Sequence, residues 1–276
     1  MRCLQNPWIR FLRLPALYTV PGDVWVGAAL AQNPLLWRPL FAVCFAYLFG
    51  MALNDLVDES RDRESRPERP LPSGRIRKSR AWMLCGTLAL GAVLLFPRPA
   101  MLGLLLLISV YNFVKQRQLI PGALCMAGCR GMALWIGAGA PASLKALLPG
   151  FVIWGGLIFL ITLLADQEGR VPFSGGWMAR MLTAGWLLAP LPALLLGTPR
   201  FPVFLPWALL AALALQNYRQ ILDQEKLLPR NTGQWLSMLI PLQSAFLFAL
   251  APLWQGALIL CLWPLLRGLI RQIQIS

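Results

Sequence analysis

The chain has 276 residues, 58% of them hydrophobic and only 13% charged, where an ordinary soluble domain carries roughly 25% charged residues. That excludes a water-soluble globule and predicts a single all-α domain over residues 1–276, a polytopic transmembrane helical bundle. The net charge of +14 sits in short loops between apolar runs, which argues against nucleic acid as a partner and for contact with membrane lipids.

Taken in chain order, Arg2, Arg10 and Arg13 precede the first apolar run with no small-residue cleavage site, so this segment reads as the start of a span and not a signal peptide. A span needs about 20 apolar residues. The candidates are 14–32, 38–55, 79–96, 99–114, 120–139, 146–166, 177–197, 201–218, 232–250 and 254–271. This gives ten spans, or nine if the last two are one span and a re-entrant piece. The first is interrupted at Pro21–Gly22, and Asp23 just beyond reads as an outer interfacial charge.

Basic residues test the layout. Alternate segments hold Arg2, Arg10 and Arg13; eight between Arg61 and Arg80; Lys115 and Arg117; Arg170 and Arg180; Arg219, Lys226 and Arg230; Arg267 and Arg271. The opposite segments hold only Arg38, Arg98, Lys145 and Arg200. By the positive-inside rule both termini and the loop at 54–80 are expected in the cytoplasm. Arg130 stands inside a span, where a charge usually faces a cavity or a partner. The six Cys show no paired loop spacing, and Cys125 and Cys129 read as buried apolar residues because no His completes a ligand set. The absence of His also excludes imidazole catalysis.

The chemistry concentrates after the second span. Six of the eleven acids lie between Asp55 and Glu68. If the second helix runs on past its apolar stretch, Asn54, Asp58 and Asp62 share a face and Asp55 lies beside Asp58, stacking carboxylates toward a common point. Oxygen ligands without His or Cys select a hard cation, and Mg²⁺ typically takes one or two carboxylates, waters and substrate phosphate. A solvated mixed-charge loop, with Asp58 and Asp62 paired to Arg61 and Arg66, would read the same from spacing alone. The Pro-rich turn from Arg66 to Gly74 adds guanidinium groups suited to phosphate.

NDxxDxxxD at Asn54, Asp55, Asp58 and Asp62, followed by Arg66-Pro-Glu-Arg69-Pro-Leu-Pro-Ser-Gly, resembles the UbiA superfamily of intramembrane prenyltransferases. The resemblance implies a UbiA-like bundle in a bacterial plasma membrane. It implies Mg²⁺ as cofactor, held on an isoprenyl diphosphate by the first aspartate-rich motif. Arg66 and Arg69 match the basic residues after that motif. Tyr111 and Lys115 match the family's Tyr and Lys four residues apart, with Arg117 one place later than its usual neighbour. A second aspartate-rich motif is reduced here to Asp166, Gln167, Glu168, Gly169 and Arg170. Asp166 and Glu168 would supply carboxylates to a second metal. Arg170 either replaces that metal's charge or marks lost catalysis.

The resemblance thus implies Asp58, Asp62 and Asp166 as catalytic residues. Asn54, Asp55, Asp58, Asp62, Asp166 and Glu168 would be the metal ligands. Asn54, Arg66, Arg69, Tyr111, Lys115, Arg117, Arg130 and Arg170 would bind substrate. The Arg66–Gly74 string, Cys129–Arg130–Gly131 and the short second motif look most like the EboC-type subgroup, associated with handling or export of a small metabolite. Two functions follow: prenyl transfer from an isoprenyl diphosphate to a lipophilic or cyclic acceptor, or a non-catalytic carrier that keeps the fold.

Overall fold

The structure, a computed structural model, describes residues 6–34, 36–139, 143–168, 176–197, 201–222 and 229–275. Among these there is no β-strand. The helices are α1 (Pro7–Phe11), α2 (Leu14–Leu17), α3 (Val20–Leu30), α4 (Trp37–Val57), α5 (Glu59–Ser65), α6 (Lys78–Leu95), α7 (Pro99–Val114) and α8 (Leu119–Ala138). They continue with α9 (Leu144–Ala165), α10 (Gly176–Leu188), α11 (Leu191–Leu196), α12 (Phe204–Leu222), α13 (Pro229–Ser237), α14 (Leu239–Leu250) and α15 (Leu253–Ile275). Six helical stretches are long and apolar enough to cross a membrane: 37–57, 119–138, 144–165, 176–196, 201–222 and 231–250. Three shorter apolar helices, Val20–Leu30, Pro99–Val114 and Leu253–Leu265, accompany them.

The first apolar run is divided differently from the expectation. Its break falls at Tyr18–Thr19, and Pro21 sits in the first turn of α3, where a missing N–H costs nothing. Pro21 therefore starts a helix instead of interrupting one.

α3 and α14 form the interior of the bundle. Every residue from Leu239 to Ala249 in α14 is buried, the pattern of a helix apolar on all sides and surrounded by others. α3 packs against α8 and α14, α8 lies between α7 and α9, and α4 packs on α6 and α7. Small residues make the closest crossing. A Cβ on Gly27 would lie 2.0 Å from Leu134 O, and one on Gly137 would lie 2.0 Å from Val24 O. Such backbone approach is how helices associate where no hydrophobic effect drives them together. Leu195 and Phe201, 85% and 87% exposed, point away from the bundle as a lipid-facing surface requires.

Candidate active site

The cluster of acids is built by helix geometry. Asn54 and Asp55 end α4, and the chain passes through Asp58 without losing helical hydrogen bonds. Asp58 N–H donates to Asn54 O at 3.0 Å, and Asp62 N–H to Asp58 O at 2.8 Å. Positions seven apart on a 3.6-residue helix nearly superpose, so Asp55 and Asp62 form one stripe, with Asn54 and Asp58 on the next.

This differs from the expectation that Asn54, Asp58 and Asp62 share a face, and Asn54 joins the two stripes, donating from Nδ2 to Asp58 Oδ2 at 3.2 Å and to Asp55 Oδ1 at 3.4 Å. Each stripe has its own cation. Lys115, at the end of α7, donates from Nζ to Asn54 Oδ1 and to Asp58 Oδ2, the latter at 2.8 Å, and to Asn112 Oδ1 at 3.3 Å. Arg69, on the Pro-rich turn, donates to Asp62 Oδ2 at 2.5 Å and lies 3.9 Å from Asp55 Oδ1. Arg13, in the turn between α1 and α2, donates from Nη2 to the same Asp55 oxygen at 2.9 Å. Asp55 and Asp62 are nearly buried, at 5% exposure each. Burial holds the Lys115 ammonium below the ordinary lysine value, with Asp58 pulling the other way.

The pairing of Asp58 and Asp62 with Arg61 and Arg66 is also corrected. Arg66 is exposed and makes no ion pair among the described residues, as does Arg117. The residue adjacent to Lys115, Gln116, is the one that reaches the motif, donating to Asp58 Oδ1 at 2.6 Å. Sequence reasoning treated Arg13 as an orienting charge and missed Gln116, because neither lies in a charged motif. Glu59 faces elsewhere, bonded to Lys78 and Arg63 on α6 and α5. The hydrogen bond from Lys78 is the main cause of a carboxyl held below the ordinary glutamate value.

Asp166 caps the C-terminal end of α9 and is exposed, with Glu168 half-buried two residues on. Arg170 lies outside the described residues. Among the described residues no three acidic or thiol side chains gather as a metal-binding group. The donor chemistry nevertheless fits a hard cation held jointly with phosphate. Asn54 Oδ1 and Asp58 Oδ2 already hold one positive charge between them, the Lys115 ammonium, and all available donors are oxygens.

Below this cluster a cavity of about 390 Å³ enters the bundle. Arg13, Asn54, Tyr111 and Asn112 line it on the polar side, and Ile108, Leu104, Val43, Ile158 and Ile161 line its apolar wall. Thr162 and Ala165 bring the end of α9, next to Asp166, to the same cavity. Arg130 also lines it, with Asp23. Asp23 is fully buried, not interfacial: it accepts from Arg130 Nη1, from Trp154 Nε1 at 2.8 Å and from Gln243 Nε2 at 2.7 Å. Two lone opposite charges in separate apolar runs are expected to find each other inside a membrane protein, and that signal was available in the sequence.

The profile of the UbiA prenyltransferase family matches residues 16–274. The chain belongs to that family. It is 27% identical over 218 residues to digeranylgeranylglyceryl phosphate synthase of Sulfolobus acidocaldarius, covering 71% of this chain and 78% of that one. The UbiA homolog of Archaeoglobus fulgidus solved with GPP and Mg²⁺ superposes with a TM-score of 0.62 at 17% identity, covering 92% of this chain and 99% of that one. The apo UbiA homolog of Aeropyrum pernix gives 0.66 at 16% identity over 84% and 96%. These two likenesses show the fold. The chain is a membrane-embedded prenyltransferase of the UbiA type.

Proposed function

We propose that this UbiA-type enzyme ionises an isoprenyl diphosphate, with Mg²⁺, and transfers the prenyl group to a lipophilic or cyclic acceptor. One observation carries the reading: paired acids and half-buried cations stand at the mouth of an apolar cavity inside a membrane bundle. The diphosphate belongs at the mouth and its hydrocarbon tail along Ile108, Leu104 and Ile158. The relative solved with GPP and Mg²⁺ has the same fold, which supports an isoprenyl diphosphate and Mg²⁺ as ligands for this chain.

Asn54 and Asp58 would hold Mg²⁺ on the diphosphate, with Asp55 and Asp62 beside them and Asp166 and Glu168 as candidate ligands from α9. Bound there, the ion would neutralise charge on the leaving diphosphate. Lys115, Arg69 and Arg13 would bind the remaining diphosphate oxygens, so that the carbon–oxygen bond breaks with its electrons leaving on the diphosphate. The apolar wall would keep water from the allylic cation until the acceptor attacks it. Arg66 and Arg117, exposed at the same end, would attract the anionic substrate at a distance.

We read the remaining apolar helices as spans as well, giving nine or ten crossings, with both termini and the 54–80 loop on the cytoplasmic side. The basic-residue distribution supports that orientation. The Arg66–Gly74 string supports placement near the EboC-type subgroup and a bacterial plasma membrane. The decisive experiment incubates the purified chain with geranyl diphosphate, Mg²⁺ and candidate acceptors. Magnesium-dependent diphosphate release with a prenylated product is expected; a carrier would bind geranyl diphosphate and release none.

A further inference from the structure

The cavity wall turns polar a second time, well below its mouth. Tyr47 lies seven residues before Asn54 on α4, about 10 Å deeper at 1.5 Å per residue. Tyr47 and Arg130 both line the cavity. The Tyr47 hydroxyl makes no hydrogen bond among the described residues.

Arg130 is fixed from behind. Its Nη1 donates to Asp23 Oδ2 and Thr19 O, and its Nη2 to Thr19 Oγ1. A guanidinium has five N–H donors, so Nε–H and one Nη2–H remain without a partner among the described residues. Its side chain keeps 13% exposure although Asp23 keeps none. Trp154 and Gln243 saturate the other Asp23 oxygen, so the ion pair is locked in place and contributes no net charge.

What could cover this patch follows from its chemistry. A hydrocarbon tail would leave the Tyr47 hydroxyl and the spare guanidinium N–H groups dry and unpaired, which is unfavourable. A carboxylate or phosphate would lose its hydration and meet a cation whose charge Asp23 already cancels. An uncharged oxygen loses little hydration and can accept from Arg130 or Tyr47; a hydroxyl can also donate to the Tyr47 oxygen. We propose that Tyr47 and the Asp23-neutralised Arg130 form the acceptor's recognition site, selecting a lipophilic molecule by an uncharged hydroxyl or carbonyl group. This rests on the transfer reaction proposed above and names the acceptor class for it. The acceptor's attacking atom then lies near the mouth and its recognised oxygen about two helical turns, roughly 10 Å, deeper.

The test uses the full chain in detergent, with 2-naphthol as a neutral probe and 2-naphthoate as its anionic counterpart. Binding of geranyl diphosphate with Mg²⁺ is measured in parallel. The wild type should hold 2-naphthol at least about tenfold more tightly than 2-naphthoate. Tyr47→Phe, which removes one oxygen and keeps the ring, should weaken 2-naphthol binding about threefold to tenfold, the value of one neutral hydrogen bond, and affect geranyl diphosphate far less. Asp23→Asn keeps an oxygen for Trp154 and Gln243 but uncovers the Arg130 charge, so 2-naphthoate should gain on 2-naphthol by about tenfold. Absence of 2-naphthol binding, equal binding of the two probes, or indifference to Tyr47→Phe overturns the inference. If Asp23→Asn does not fold, the Tyr47→Phe comparison still decides. Loss of geranyl diphosphate binding in the wild type would instead overturn the transfer reading, so the two failures are distinct.

Discussion

Lys115 Nζ lies 2.8 Å from Asp58 Oδ2 and also donates to Asn54 Oδ1, so one ammonium ties the end of α7 to the end of α4. The same ammonium stands 5.6 Å over the Tyr111 ring. The bond explains why a Tyr and a Lys four residues apart belong together: one turn of helix stacks the ring under the charge. It also means that a cation occupies the first stripe of acids before any substrate arrives.

Lys115→Met should therefore act in two directions. Lys115 and Asp58 are only partly buried, so losing a charge-assisted hydrogen bond of this kind should cost about 1.5–3 kcal/mol and lower geranyl diphosphate affinity about tenfold or more. Mg²⁺ alone should bind more tightly than to the wild type, because Asn54 and Asp58 lose their resident charge. Calorimetric titration of each ligand separately measures both effects; weaker binding of both would show that Lys115 only maintains packing.

The acids divide by what they touch. Asp62→Asn should release Arg69 and Asp58→Asn should release Lys115 and Gln116, each weakening geranyl diphosphate binding about tenfold or more. Glu64 is exposed, so Glu64→Gln should change binding and melting temperature negligibly. Equal effects of all three, measured by equilibrium binding, would mean that bulk charge matters and the stripe geometry does not.

Much of this site was legible because it is local in sequence. Asn54, Asp55, Asp58 and Asp62 lie within three helical turns, and the helix period places them without knowledge of the rest. Lys115 and Arg69 were legible as cations of suitable type, but their assignment to separate stripes was not, since it depends on how α7 and the Pro-rich turn dock. Arg13 and Gln116 were illegible for the same reason. Asp23 and Arg130 are 107 residues apart, and only the cost of a lone charge in lipid links them. The break at Tyr18–Thr19 was misread because Pro21 admits two roles, helix breaker and helix starter, and packing chose the second.

Acid should loosen the clasp between α5 and α6. Lys78 and Arg63 hold the Glu59 carboxyl below the ordinary glutamate value. A depressed carboxyl stabilises the folded state above its unfolded value, about pH 4.3, and that contribution is lost as pH falls further through the folded value. Both partners are largely exposed, so salt should screen the effect and its size should be small. Proteolysis of the 66–77 segment should accelerate below about pH 4 in the wild type, while Glu59→Gln should be cleaved faster already at neutral pH and show less further change. A pH profile identical in both proteins removes Glu59 as the cause.

The α3–α8 crossing gives a packing test. Gly27→Ala and Gly137→Ala each drive a Cβ into backbone oxygen, which a side-chain rotation cannot relieve. Overpacking of this kind costs about 1–3 kcal/mol, and both variants should melt lower in detergent. Gly86→Ala meets nothing within 4 Å and should melt at the same temperature or higher, since alanine favours the helix by about 0.5–1 kcal/mol. Normal melting of Gly27→Ala would mean that α3 and α8 stand farther apart than described.

Arg13 combines an electrostatic and a backbone role that two substitutions can separate. Its φ of 46° lies in the left-handed region, which costs a side-chain-bearing residue about 1–2 kcal/mol and glycine almost nothing. Its guanidinium meanwhile reaches Asp55 and lines the cavity mouth. Arg13→Ala removes the ion pair and keeps the strain, whereas Arg13→Gly removes both. If the side chain binds diphosphate, the two variants should lose geranyl diphosphate affinity equally, because each lacks the same guanidinium. Their stabilities should differ, with Arg13→Gly melting higher than Arg13→Ala by an amount matching the relieved strain. If the turn's conformation alone were responsible for placing α1 and α2 over the mouth, Arg13→Gly would bind geranyl diphosphate like the wild type. Parallel melting and binding curves for the two variants decide between these outcomes.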